Sequence, residues 1–304
     1  MNILMAGAGA IGGYFGARLA EKGEDITFLV RSKRKEQLMR TGLNVQSVHG
    51  DVSITPKLLT AGEESDPFDV IIISTKSYQL EDVMEDIKPY AAKGTVILPL
   101  LNGIEHITKL THVFGDDAVI GGLCFIETTL NSDGTIVQTS PIHELKFGER
   151  NGAQTERINR LEKVLGGTKA NITMSSKIIQ DMWHKYSFIT AMSGVTTLMR
   201  SAIGPIREQE SGCRTIQMIL EEIYAVMLRL DAPVIEGLPS VQFKKMLEMD
   251  YGMKSSMQRD MEKSSLTETD HLQGYLLQKA QQYELNVPLL NAVYTNVKLY
   301  EAKR

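Results

Sequence analysis

MNILMAGAGAIGGYFGARLAEKGEDITFLVR, residues 1–31, decides the fold. Residues 2–6 are a short apolar run that suits a buried strand. Gly7, Gly9 and Gly12 then spell G-x-G-x-x-G, helix formers run over 10–22, Gly23 stops them, and residues 25–30 make a second apolar strand. Strand, glycine turn, helix, strand is the context in which this fingerprint holds a dinucleotide. The first glycine permits the tight turn, the second lets the backbone approach a pyrophosphate, and the third lets helix and strand pack closely. The loop Gly7, Ala8, Gly9, Ala10, Ile11 and Gly12 therefore presents a helix N-terminus, with unpaired N–H groups and a partial positive charge, to the phosphates. A glycine-rich turn with no ligand is the competing reading, and the flanking strands and helix weigh against it.

The end of the second strand selects the nucleotide. NAD-binding units commonly place Asp or Glu there to hold the ribose 2′-OH. Here the position carries Arg31, followed by Ser32, Lys33, Arg34 and Lys35. A carboxylate repels a 2′-phosphate, whereas a guanidinium pairs with it through two hydrogen bonds. NADP(H) is the expected cofactor, with Arg31 as phosphate ligand and Arg34 in support; the lysines read as the solvated first turn of a helix.

Further along, a helix is expected over 32–41 and short strands over 43–48 and 51–54, around Gly50. DVIIIS at 69–74 is a continuous apolar run of the kind found in buried parallel strands. A helix over 78–92 and another buried strand over 95–98 follow. Strands alternating with helices imply a Rossmann-type, doubly wound α/β sheet. Ligands of such sheets bind outside the carboxyl ends of the strands, where the glycine loop, Lys76 and Asn102 all fall. Residues 118–130 alternate, 131–134 read as a hairpin turn, and 135–139 and 143–148 read as two more strands. A helix over 153–166 and a strand over 171–174 follow, and this tail is expected to extend the sheet. From 176 onward only helical periodicity remains: helices over 176–200, 206–230, 240–250 and 253–263, one from Thr267 and one after Pro288. The reading is an α/β domain over 1–175 and an all-α domain over 176–304.

Composition narrows the function. The 304 residues are 42% hydrophobic, enough for a core in each domain, and the net charge of −4 argues against nucleic acid as a partner. Cys124 and Cys213 form no redox or metal motif, and the six histidines show no metal-ligand spacing, so no metal centre is expected. No apolar run approaches the roughly 18 residues of a membrane span. The chain opens directly into a strand rather than a signal peptide, so a cytoplasmic protein is expected.

Reducing a carbonyl requires a placed nicotinamide, a polarised carbonyl and a proton for the new alkoxide. Lys185, in Trp183-His184-Lys185-Tyr186, is the leading proton donor. Its i+4 and i+8 neighbours are Ile189 and Ser193, and a lysine desolvated on that largely apolar face has a lowered pKa suited to general acid work. From helix position alone a snorkelling surface lysine is the plainer reading. Glu268 lies in Thr267-Glu268-Thr269-Asp270, where Thr267 and Asp270 read as a helix cap. It is either a first-turn acid complementing the helix dipole or a carboxylate that holds a substrate hydroxyl or orients Lys185. The hydroxyls of Ser255-Ser256 read as caps, and His184 reads as structural.

Taken together, these stretches resemble the ketopantoate (2-dehydropantoate) 2-reductases over nearly the full chain. The matching residues are Gly7 to Gly12, Arg31, Thr75-Lys76-Ser77-Tyr78-Gln79, Leu101-Asn102-Gly103, Phe147-Gly148-Glu149, Trp183-His184-Lys185, Ser255-Ser256-Met257 and Thr267-Glu268-Thr269-Asp270, in family order and spacing. The resemblance implies a Rossmann domain followed by a helical domain, a possible homodimer, and NADPH-dependent reduction of ketopantoate to (R)-pantoate in pantothenate biosynthesis. It further implies Lys185 as general acid, Asn102 and Lys76 near the nicotinamide ribose and substrate, Ser256 on the substrate carboxylate and Glu268 on its hydroxyl. In the family, Asn usually stands four and eight residues after the lysine and helps bind the polar substrate; here Ile189 and Ser193 stand there. Ser193 remains a candidate substrate ligand, but Ile189 offers no hydrogen bond. An unpaired buried polar group costs roughly 1–3 kcal/mol, so a less polar 2-keto acid is the alternative substrate. A non-catalytic NADP-binding protein is the reading from another class, and the Lys185 and Glu268 pair argues against it.

Overall fold

The computed structural model describes residues 1–304. In chain order the elements are β1 Asn2–Ala6, α1 Ala10–Lys22, β2 Asp25–Leu29, α2 Ser32–Thr41, β3 Leu43–Ser47, β4 Val52–Ile54, β5 Lys57–Leu59, β6 Val70–Ile73, α3 Leu80–Ile87, β7 Val96–Pro99, α4 Glu105–Phe114, β8 Gly121–Leu130, β9 Ile136–Gly148, α5 Glu156–Leu165 and β10 Asn171–Met174. The helices α6 Ile178–Met199, α7 Ile203–Arg207, α8 Glu210–Arg229, α9 Leu238–Leu247, α10 Ser256–Glu262, α11 Tyr275–Gln282 and α12 Pro288–Lys303 follow. Two compact units result: residues 1–101 with 106–179, and residues 102–105 with 180–304.

The first unit is built on a parallel sheet of order β5-β2-β1-β6-β7. β1 is central because both of its faces are apolar: Ile3, Leu4 and Met5 have no solvent exposure. Met5 pairs with Phe28 of β2 on one side and with Ile72 of β6 on the other. The chain fills the sheet outward from β1 through β2 and β5, then crosses to β6 and β7. The strand order reverses between β1 and β6, and the crevice outside their carboxyl ends is where such sheets bind ligands.

The tail of this unit does not extend that sheet, as the sequence led us to expect. It forms a second one of order β10-β9-β3-β4, with β8 pairing β9. β3, expected merely to flank Gly50, runs parallel to β9, with Val45 opposite Ile136. The sheets meet in a single backbone bridge between Ile97 and Val119. The two strands expected over 135–139 and 143–148 are one, β9, because the Ser140-Pro141 interruption is absorbed as an irregularity in its pairing with β8. Pro141, which cannot donate to a ladder, sits where none is formed.

The second unit is all helix, as expected. α6 is buried along most of its length, as expected of a helix that is apolar on more than one face. Three boundaries differ. The helix expected over 206–230 is split into α7 and α8, with Gln209 in extended conformation between them. The helix expected from 253 begins at Ser256, with Ser255 as cap accepting from the Gln258 N–H at 3.1 Å. The helix expected from Thr267 instead opens with a wide π-type turn over Asp270–Gly274 that leads into α11. The expected Thr267 and Asp270 capping pair does not form. Thr267 donates to Glu301 at 2.7 Å, while Asp270 accepts from the Tyr294 hydroxyl at 2.8 Å and binds Lys298 at 3.0 Å. No helix is long and apolar enough to cross a membrane.

Candidate active site

The glycine loop has the backbone geometry that its spacing implies. Gly7 has φ +104°, in the left-handed region that side chains rarely adopt, and its N–H donates to the Leu29 carbonyl at 3.0 Å. A Cβ on Gly12 would collide with Ser74 Oγ and the Gly7 carbonyl oxygen, so this glycine is what lets α1 approach the end of β6. A Cβ on Gly9 would meet nothing within 4 Å. Gly9 is also the residue before α1, and no side chain caps that helix. The absent side chain leaves an open cradle at a helix N-terminus whose N–H groups are not taken by a cap, and this fits a pyrophosphate.

The two arginines at the end of β2 separate in role. Arg31 is largely exposed and lies 3.6 Å from Asp82, with side-chain exposures of 73% and 75%. So loose an ion pair is screened by solvent and readily exchanged for another anion. Arg34, expected to support Arg31 on a phosphate, is instead half-buried and used within the fold. It donates to the Ala8 carbonyl at 3.2 Å, Gln37 at 2.7 Å and the Gly134 carbonyl at 3.3 Å. Its guanidinium thus ties the glycine loop to the β8–β9 turn, and burial pulls its pKa down. Lys76, half-buried, precedes a 3-10 turn, Ser77–Gln79, just beyond β6.

In the helical unit, Lys185 and Glu268 are both buried, at 7% and 8% exposure. The solvated surface lysine and the exposed first-turn acid, the plainer readings of the sequence, are thereby set aside. Beside Lys185 on α6, Tyr186 has no part in the sequence reading. It is fully buried, its hydroxyl donates to the Leu272 carbonyl at 2.6 Å, and burial raises its pKa well above the usual phenol value. It therefore stays a neutral donor, holding the π-type turn that follows Glu268. His184 has the structural place expected: its Nε2 accepts from the Ile235 N–H at 3.2 Å, and burial lowers its pKa.

Asn102 follows β7 in sequence but packs with the helical unit. Its carbonyl is 2.6 Å from Nε2 of His271, a second residue the sequence reading did not single out. Ser256 is exposed at the start of α10, whereas Ser255 is buried and its Oγ lies 2.8 Å from Thr196 Oγ1. Ser193, expected as a substrate ligand, is committed to the interior. Its hydroxyl donates to the Thr190 carbonyl at 3.2 Å and accepts from Gln273 Nε2 at 2.8 Å. Ile189, one turn beyond Lys185, is partly exposed.

Two family models account for most of the chain: "Ketopantoate reductase PanE/ApbA" matches residues 3–152, and its C-terminal companion matches residues 177–301. The chain belongs to the ketopantoate reductase family. It is an oxidoreductase of the 2-dehydropantoate 2-reductase type, with the Rossmann-like and helical architecture of that family. An uncharacterized oxidoreductase of Bacillus subtilis, YkpB, is 47% identical over all 304 residues, covering 100% of both chains. The 2-dehydropantoate 2-reductase of Pyrococcus abyssi is 26% identical, over 99% of this chain and 98% of its own. Among solved structures, D-mandelate dehydrogenase with NADH and anilino(oxo)acetate superimposes with a TM-score of 0.90 at 23% identity, covering 100% of this chain and 99% of that one.

Proposed function

We propose that this ketopantoate reductase family member reduces the 2-keto acid ketopantoate to (R)-pantoate with NADPH, as in pantothenate biosynthesis. The reading rests on one observation above all: Lys185 and Glu268, opposite in charge, are both buried in the helical unit. Burying ionisable groups is costly, so an acid and a base kept together in the interior mark a candidate functional site.

Gly7 to Gly12 would hold the pyrophosphate, Arg31 would pair with the 2′-phosphate, and Lys76 and Asn102 would bind the nicotinamide ribose. The bound nicotinamide supplies the hydride. Lys185 polarises the keto oxygen and delivers the proton to it, a role for which a water-excluded ammonium is suited. Glu268 accepts from a substrate hydroxyl, and Ser256, exposed at the α10 N-terminus, donates to the carboxylate.

A second reading is a less polar 2-keto acid, and the commitment of Ser193 to Thr190 and Gln273 favours it. With Ile189 apolar, neither position that usually carries Asn offers a free donor. The test is NADPH oxidation with ketopantoate and with its deoxy analogue, Lys185→Ala alongside. Oxidation of ketopantoate that the substitution abolishes supports the first reading, and strong preference for the deoxy analogue supports the second. NADPH binding without turnover of any 2-keto acid would overturn both and leave a cofactor-binding protein.

A further inference from the structure

The His271 ring stands against the turn Asn102-Gly103. Its Nε2 is 2.6 Å from the Asn102 carbonyl oxygen. A carbonyl only accepts, so Nε2 carries the proton and donates. A Cβ on Gly103 would lie 2.7 Å from that same Nε2, closer than side-chain contacts allow, and Gly103 itself has φ +85°. A side chain at 103 is therefore excluded twice, by backbone conformation and by the imidazole. On its other side, Nδ1 of His271 is 3.5 Å from the Glu105 carboxylate, so residues on both sides of Gly103 face the one ring.

The backbone beneath the ring leads to Glu268. The Glu268 carbonyl accepts from the N–H of His271 at 3.1 Å and of Leu272 at 2.9 Å. Tyr186, next to Lys185, binds the Leu272 carbonyl. One short run of hydrogen bonds thus joins the Asn102 backbone, the His271 ring, the turn after Glu268 and the helix that carries Lys185.

We propose that His271 is a positioning residue: by holding the Asn102 backbone it sets where the Asn102 side chain stands relative to Glu268 and Lys185. The inference deepens the reductase reading and rests on it. Asn102 lies in the turn between β7 and α4, before a glycine of positive φ, and the imidazole holds its backbone. Misplacing a reacting group by about 1 Å can cost on the order of a hundredfold in rate.

The test compares His271→Phe, which keeps a ring and removes the donor, with His271→Gln, whose amide can donate from a similar reach. The readouts are kcat and KM for the 2-keto acid and deuterium exchange over residues 100–105. Expected for Phe is a fall in kcat of about tenfold, the worth of one buried hydrogen bond, with KM within about twofold and faster exchange over 100–105. Expected for Gln is recovery of most of both. Wild-type kcat in Phe, or equal losses in Phe and Gln, would overturn the proposal, since a purely space-filling ring has no use for the amide. If the wild-type protein turns over no 2-keto acid, the reductase reading fails first. The strap is then judged on exchange alone, and unchanged exchange in Phe overturns it.

Discussion

Ser74 Oγ occupies the space in which a side chain on Gly12 would stand. The neighbouring fingerprint glycine, Gly9, faces open space instead. The two should therefore fail differently. Gly12→Ala forces α1 away from β6 and is expected to destabilise the fold by about 1–3 kcal/mol, the usual cost of overpacking. Gly9→Ala is expected to leave urea stability within about 0.5 kcal/mol while weakening NADPH binding by about tenfold or more, because its methyl group enters the cradle. Urea unfolding and a fluorescence titration with NADPH distinguish them.

Arg31 and Arg34 should also part company. Arg31 is exposed and loosely paired with Asp82. Arg31→Glu is expected to lower NADPH affinity by about tenfold to a hundredfold, the worth of charge-assisted hydrogen bonds, and to leave NADH affinity nearly unchanged. Arg34 holds Ala8 and Gly134 in place. Arg34→Met is expected to weaken both nucleotides alike and to lower the melting temperature. Equal effects of Arg31→Glu on the two nucleotides would refute a 2′-phosphate role for that residue.

Glu149 belongs to a stretch that matches the family, yet its partners give it a structural task. Arg157 grips both of its oxygens through Nε and NH2, each at 2.6 Å, and Thr155, which caps α5, donates to it at 2.6 Å. Arg157 holds the Glu149 carboxyl below its usual range. Glu149→Gln is expected to cost about 1–3 kcal/mol of stability with kcat of the surviving folded protein unchanged. Because the folded pKa is depressed, this contribution is present above the ordinary carboxylate value and is lost as pH falls through the folded one.

A second pH effect comes at higher pH. His143 stacks on His49 with ring centroids 3.6 Å apart, and its Nδ1 is 2.7 Å from the Tyr14 hydroxyl. Burial, then His49 and Arg18, lower its pKa. The unfolded chain thus binds a proton at His143 before the folded protein does. Stability from the neutral ring is complete above the ordinary histidine value and declines as pH falls below it, levelling off beneath the folded pKa. Melting temperature is expected to drop between about pH 7 and pH 5, and His143→Gln is expected to flatten that part of the curve. An equal slope in the variant would assign the effect elsewhere.

What could be read from the sequence was local. The glycine spacing, the apolar run at 69–74 and the helical periodicity beyond 176 each specify a structure within a few turns of chain, and each appears in the fold, with three helix boundaries shifted beyond 200. Arg34 could not be placed, because its partner Gly134 is brought near only by the β8–β9 turn. The Ser193 hydroxyl looked available until α6 met Gln273. His271 sits beside Glu268 in sequence, yet its partner Asn102 lies far earlier in the chain. The one signal that could have found it is Asn102-Gly103 itself, a turn whose glycine needs something packed against it. The second sheet was missed for the same reason: parallel pairing of β3 with β9 leaves no local trace.

That pairing also sets an order of events during synthesis. Val45 must wait about ninety residues for Ile136 to leave the ribosome, while the first sheet already has its last strand by Pro99. Until β9 emerges, the edge of β3 that it will cover stays open on a half-made domain. Translation pausing ahead of residue 136 prolongs that exposure. It is the interval in which a chaperone would matter most, and in which a nascent chain of this fold is most prone to pair with a stranger.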